Sequence, residues 1–141
     1  MIEIIAGRKG KGKTKHLLDK ANAMVKSAAG TLCYLDKSSK HMYELSNKIR
    51  LINVNEYSFA IENSDGFLGF LCGIISQDHD LEIMYLDSFL RLAYLEGEDI
   101  SAFIDKLGKI SDKYSVTFVL SVSQDADTLP ETVKPHVILA L

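Results

Sequence analysis

The sequence reads as an α/β protein of three layers, α/β/α, with a mostly parallel sheet of five to six strands, built as one domain over residues 1–141. Three observations lead there. The apolar run Ile2 to Ala6 feeds a glycine-rich loop and then a helix-patterned segment. Apolar runs of strand length then alternate with helical stripes along the rest of the chain, the pattern of βαβ units. Val116 to Val122 is almost continuously apolar, as a central parallel strand is when both its faces are covered.

The elements follow in order. After the first strand, Leu17, Leu18, Ala21, Met24, Val25 and Ala28 recur at helical spacing, and Gly30 stands where a helix would end. Thr31 to Leu35 is a short apolar strand closed by Asp36. The polar run Lys37-Ser38-Ser39-Lys40 predicts a second helix around Met42 to Lys48, and Ile49 to Val54 a third strand. Glu62 to Gly66 is turn chemistry. The apolar stretch from Phe67 to about Gln77 predicts a buried helix, Leu81 to Leu86 a strand ending in Asp87. Ile100, Phe103, Ile104, Leu107, Ile110 and Tyr114 make a helical stripe starting near Asp99 or Ser101. Val137 to Leu141 is the last strand.

Bulk properties narrow the function. With 141 residues, 47% of them hydrophobic and 25% charged, and a net charge of −3, the chain has the composition of an ordinary soluble protein. No basic tail points to constitutive nucleic-acid binding. The longest apolar segment, Gly66 to Ser76, is well under the ~20 residues that span a bilayer, so no membrane segment is expected. The amino terminus lacks the apolar stretch of roughly 7 to 15 residues of a signal peptide, which predicts a cytoplasmic protein. Cys33 and Cys72 have no C-x-x-C spacing and read as free, buried thiols. His16, His41, His79 and His136 share no metal-ligand spacing.

The chemistry concentrates in Gly7-Arg8-Lys9-Gly10-Lys11-Gly12-Lys13-Thr14, a complete match to G-x-x-x-x-G-K-[ST] between a strand and a helix. Glycines let the backbone curl so that successive N–H groups face phosphate oxygens, and the helix behind adds the positive end of its dipole. Lys13 would reach the β- and γ-phosphates and Thr14 would hold Mg²⁺. Arg8, Lys9, Lys11 and Lys15 surround the loop with positive charge that attracts a triphosphate. Asp87, delivered to the carboxyl end of an apolar strand, reads as the second magnesium residue, holding the ion through water opposite Thr14. Ser123 and Gln124 emerge at the same edge of the sheet.

These motifs resemble the additional-strand class of P-loop ATPases. The loop corresponds to Walker A and Ile83 to Asp87 to Walker B. The whole chain is similar to small stand-alone bacterial P-loop NTPases of the RecA-like kind sometimes labelled twitching-motility-like ATPases. That likeness rests on Gly7 to Thr14, the Lys40-His41-Met42-Tyr43 segment, Cys72 to Ser76, and Ser123-Gln124 to Pro130. It implies a P-loop NTPase fold, ATP and Mg²⁺ as ligands, and a γ-phosphate sensor at Ser123 or Gln124 on a strand between the Walker A and Walker B strands. Relatives often carry a glutamate directly after the Walker B aspartate; here the neighbour is Ser88. Others place that acid on a neighbouring strand, which makes Glu56 the preferred catalytic carboxylate and Asp36 the other candidate.

The expected function is therefore a Mg²⁺-dependent ATPase, or an ATP-driven switch acting with a protein partner. A kinase passing the γ-phosphoryl group to a small acceptor is an alternative, although the arginines are only Arg8, Arg50 and Arg91 and no lid is inserted. A nucleotide-binding interaction protein without hydrolysis is another, suggested by Ser88. No N-K-x-D-like run is present to read guanine, so adenine or weak base selectivity is expected. The resemblance also leaves open a homo-oligomer in which Arg50 or Arg91 completes a neighbouring copy's site.

Overall fold

The computed structural model describes residues 1–141 and contains one parallel sheet of six strands. These are β1 (Ile2–Ala6), β2 (Thr31–Asp36), β3 (Arg50–Asn53), β4 (Leu81–Leu86), β5 (Thr117–Val122) and β6 (Val137–Ala140). Four helices accompany them: α1 (Lys13–Met24), α2 (Ser64–Ser76), α3 (Phe89–Leu92) and α4 (Ser101–Tyr114). The spatial order of the strands is β3-β2-β4-β5-β1-β6. β5 therefore separates β1 from β4, as the sequence likeness implies for a sensor strand.

The two faces of the sheet bury different helices, an arrangement compatible with three layers. On one face Ile4, Leu35, Met84, Leu86 and Phe118 pack with Phe67 and Leu71 of α2 and Phe103 and Leu107 of α4. On the other, Ile5, Tyr34, Tyr85 and Val119 pack with Leu17, Leu18 and Ala21 of α1. Alternate side chains of a strand point to opposite faces, so strands apolar at both parities need cover on both sides. That is why β5 reads as an almost continuous apolar run.

Four expectations are corrected. No helix forms at Met42 to Lys48, which is a series of turns. Leu45 and Ile49 still fill the α1 face of the core, and the side chain of Asn22 holds the turns by donating to the Glu44 carbonyl and accepting from the Ser46 N–H, each at 2.8 Å. Those two bonds satisfy backbone groups that a helical ladder would otherwise pair. The α2 helix begins earlier than Phe67, because Asn63 caps it by accepting from the Gly66 N–H at 2.8 Å. Nor is α2 a fully buried helix: Phe67, Leu71 and Ile75 are buried on one side, and Cys72 lies on the exposed side. Only Cys33 is a buried thiol. The short α3, directly after Asp87, is an element the periodicity does not signal.

No helix is long and apolar enough to cross a membrane.

Candidate functional site

The glycine-rich loop connects β1 to α1 at the carboxyl ends of the strands, and its base is fixed on both sides. Gly7 donates its N–H to the Val122 carbonyl of β5 at 3.2 Å, and Leu141 donates to the Ala6 carbonyl at 2.8 Å. Gly10 and Gly12 then take φ values of 82° and 86°, in the left-handed region that a Cβ disfavours. These two residues turn the chain so that α1 starts at Lys13 with its amides facing the loop's interior.

The N–H groups of Gly10, Gly12, Lys13, Thr14 and Lys15 have no acceptor within the protein. No side chain caps α1 and no acid lies in its first turn. Unpaired amides at the amino end of a helix favour an anion through direct hydrogen bonds and the helix dipole. Lys13 is 7% exposed. Its Nζ donates to the Arg8 carbonyl at 2.9 Å, across the loop it would share with phosphate. Burial pushes its ammonium below the ordinary lysine range, and the nearby Asp87 charge works against that shift.

Asp87 is the centre of a hydroxyl network. It is 2% exposed. Its Oδ1 accepts from Thr14 Oγ1 at 3.2 Å and from Ser121 Oγ at 2.8 Å, and its Oδ2 accepts from the Tyr34 hydroxyl at 2.8 Å. Ser121 in turn accepts from the Ser88 N–H at 2.8 Å. Four elements thus converge on one carboxylate: the loop helix α1, β2, β4 and β5. Ser88 occupies the left-handed region with φ 55°; for a non-glycine residue that conformation is uncommon and recurs where a site constrains the backbone.

Thr14 and Asp87 have the donor chemistry of a Mg²⁺ site. Their oxygens lie 3.2 Å apart, joined by a hydrogen bond from the Thr14 hydroxyl. No cluster of three or more His, Cys, Asp or Glu side chains is arranged to hold a metal. A cation here would take its other ligands from phosphate oxygens and water, the usual habit of Mg²⁺.

Asp36 lies beside Asp87. The Asp87 N–H donates to the Leu35 carbonyl at 2.9 Å, which sets the ends of β2 and β4 side by side. Asp36 is 2% exposed, its Oδ1 accepts from the Lys37 N–H at 2.7 Å, and its Oδ2 has no hydrogen-bond partner. Burial, and then the Asp87 charge, hold its carboxyl above the ordinary aspartate range.

The structure does not bring every expected residue here. Glu56 sits on a short 3-10 turn beyond β3, at the far edge of the sheet, exposed and facing a depression shared with Ser39, Met42 and Tyr57. Arg8, Lys9, Ser123 and Gln124 do converge, on a groove of about 390 Å³ that also takes in Lys37, Ser88 and Arg91. Arg8 pairs with Asp125 at 2.8 Å. The Gln124 amide donates to the Thr128 carbonyl at 3.0 Å. Lys15 turns away from this groove and pairs with Asp19 at 3.3 Å, and Lys11 does not line it.

Tyr34, Ser121 and Lys37 are site neighbours to which sequence reasoning assigns no role, and Arg91, expected there only as a residue offered to a neighbouring copy, lines this chain's own groove. Ser121 carries a legible signal, a hydroxyl inside an otherwise apolar central strand, since a buried polar group needs a partner. Tyr34 carries none, because a tyrosine in an apolar strand looks like core. Comparison with protein-family models and with curated proteins finds no match to this chain, so function rests on this geometry.

Proposed function

We propose that the chain is an ATP-binding P-loop protein that uses Mg²⁺, either as a weak or partner-stimulated ATPase or as an ATP-driven switch read by another protein. The observation that carries this reading is the set of unpaired amides of Gly10, Gly12, Lys13, Thr14 and Lys15, next to a Thr14 and Asp87 pair. An anion site with a magnesium pair beside it fits a triphosphate better than an isolated phosphate.

In this reading the loop amides and Lys13 hold the β- and γ-phosphates, and Thr14 and Asp87 hold the metal. When bound, Mg²⁺ supplies charge neutralisation for the transferring phosphoryl group. Lys13 must leave the Arg8 carbonyl to meet phosphate, and Thr14 must turn its lone pairs toward the cation. Tyr34 and Ser121 keep Asp87 oriented throughout. Gln124 and Ser123 line the groove where a γ-phosphate would project, and Gln124 can exchange the Thr128 carbonyl for it.

Asp36 is the carboxylate we assign to orienting the attacking water, in preference to Glu56. It is buried at the sheet edge beside Asp87 with one oxygen unpartnered, whereas Glu56 faces a different depression. Its raised pKa brings proton affinity closer to that of a general base working near neutral pH. The protein partner, and any assembly of copies, belong to this proposal and follow from the resemblance alone.

The deciding experiment is titration calorimetry with ATP and a non-hydrolysable analogue in the presence of Mg²⁺, with phosphate release followed in the same sample. Binding with release supports a self-sufficient ATPase. Binding without release supports the switch. No binding of either nucleotide overturns the reading.

A further inference from the structure

Beyond the groove beside the loop lies a second depression of about 540 Å³, within the range of small-molecule sites. The two are neighbours, with Lys37, Arg91 and Glu96 lining both. Val54, Ile61 and Leu92 form an apolar lining in the second, and all three are buried members of the core. Asn55 and Ser58 add side-chain hydrogen-bonding groups that are not spent on the protein.

Its wall is held in place. Tyr94 has φ 58°, a left-handed conformation in which a bulky residue is a genuine outlier. Its hydroxyl donates to the Ile61 carbonyl at 2.8 Å, tying the end of α3 to the segment before α2. The strained backbone persists where surrounding structure determines it.

The charges of the shared stretch are also unspent. Neither Lys37 nor Arg91 makes an ion pair or a side-chain hydrogen bond, unlike Arg8. Two free cations from different elements, one of them a guanidinium with a fork of donors, suit a dianionic head group held by several oxygens. Glu96 also lines this stretch, and its carboxylate can accept from a hydroxyl on the ligand. The apolar lining then takes the uncharged body of the molecule.

We propose that this depression is a binding site for a small organic monophosphate, whose phosphate rests on Lys37 and Arg91 and whose body covers Val54, Ile61 and Leu92. The site does not need a nucleotide in the glycine-rich loop. That its ligand lies next to a γ-phosphate, as a co-substrate or effector would, rests on the function proposed above.

The test is a backbone-amide NMR titration with phenyl phosphate, the simplest molecule that joins the two features, run on the natural protein and on Lys13→Ala. Saturable shifts are expected at Val54, Ile61, Leu92 and Tyr94 in both proteins. Arg91→Gln should weaken binding by about tenfold, the loss of roughly one charge-assisted contact. Lys37→Gln, read the same way, provides an independent variant on a different element. Inorganic phosphate, which has no body to cover the apolar lining, should bind more weakly.

Shifts confined to residues 8–15 that vanish in Lys13→Ala would overturn the second site, as would the absence of saturable shifts. The two proposals fail separately. Phenyl phosphate shifts in a protein that binds no ATP would discard the triphosphate reading and keep this depression. ATP binding with no phenyl phosphate response outside the loop would do the reverse.

Discussion

Tyr34 on β2 donates its hydroxyl to Asp87 at the end of β4 at 2.8 Å, while Tyr85, its ring centroid 6.1 Å away, buries a hydroxyl with no partner at all. The two tyrosines share one side of the sheet and a similar burial, so they differ chiefly in what their oxygens meet. Burial and the Asp87 charge push the Tyr34 hydroxyl far above the ordinary range, and burial raises that of Tyr85 to about 12. Both remain protonated donors at any working pH.

Their phenylalanine variants should therefore move stability in opposite directions. Tyr34→Phe deletes a donor to a buried carboxylate and should cost about 2 kcal/mol. Tyr85→Phe removes an unsatisfied buried hydroxyl and should be neutral or stabilising by up to about 1 kcal/mol. Urea denaturation of both variants measures this. Equal losses would mean that the Asp87 network adds nothing to the fold.

Lys13→Ala should lower triphosphate affinity on the order of 100-fold, about 2.7 kcal/mol, in calorimetry. Lys13 is buried, and burial lowers its pKa. Removing a desolvated ammonium relieves a cost to the ligand-free fold, so the thermal midpoint should stay level or rise. A large drop in the midpoint would show that the loop depends on the Lys13 contact to the Arg8 carbonyl.

Gly12→Ala isolates the backbone. A Cβ at this position would meet no atom within 4 Å, so any effect comes from its φ of 86°. The left-handed conformation should cost about 1 kcal/mol in an alanine. Relief by rearrangement would pull the amides of Lys13 and Thr14 out of line. Affinity for ATP should fall while the core, read by near-ultraviolet circular dichroism, is unchanged; retained affinity would mean that the loop's curl is not set by Gly12.

Alkylation should distinguish the two thiols. Burial raises the pKa of Cys33 to about 11, and Cys72 is exposed on α2. Iodoacetamide at pH 8 should modify one site in the folded protein and both in denaturant, counted by mass spectrometry, because only an accessible thiolate reacts. Rapid double modification of the native protein would contradict the burial of β2.

These residues mark where the sequence was legible. The central strand β5 announced itself because a parallel strand covered on both faces reads as an almost continuous apolar run, and the loop announced itself by its glycine spacing, Gly10 and Gly12 taking the left-handed turns that glycine adopts most readily. The Met42 to Lys48 segment misled because the polar run Lys37 to Lys40 before it resembles a helix start, and the bonds that hold it as turns come from Asn22, distant in sequence. Sequence reasoning prefers Glu56 to Asp36, because the sequence shows only that each stands at the end of an apolar strand. The strand order separates them: β2 adjoins β4 and Asp87, while β3 is the far edge. The Tyr34 bond, and the placing of Lys37 and Arg91 on one groove, arise from chain crossovers that spacing does not encode.

Asp36 carries the sharpest trade between stability and function. Its folded pKa is raised by burial and by Asp87, so between the ordinary aspartate pKa and the folded one the native state holds more protons than the unfolded chain. Stability then falls as pH rises through that window and levels off above the folded pKa, the opposite of a salt-bridged carboxylate. Asp36→Asn keeps the oxygen that accepts from the Lys37 N–H and replaces the unpartnered oxygen with a donor beside Asp87. It should stabilise the protein at pH 7 by about 1 kcal/mol, or about 3 °C in thermal midpoint, and should abolish this part of the pH dependence. If Asp36 orients the attacking water, the same variant should bind ATP normally and lose phosphate release by on the order of 100-fold, whereas Glu56→Gln leaves release unchanged. Melting curves from pH 4 to 8 and phosphate release on the three proteins decide both points: a stabilised variant with full release would make Asp36 a buried charge without a catalytic task, and a destabilised one would mean that its unpartnered oxygen is better satisfied than the geometry shows.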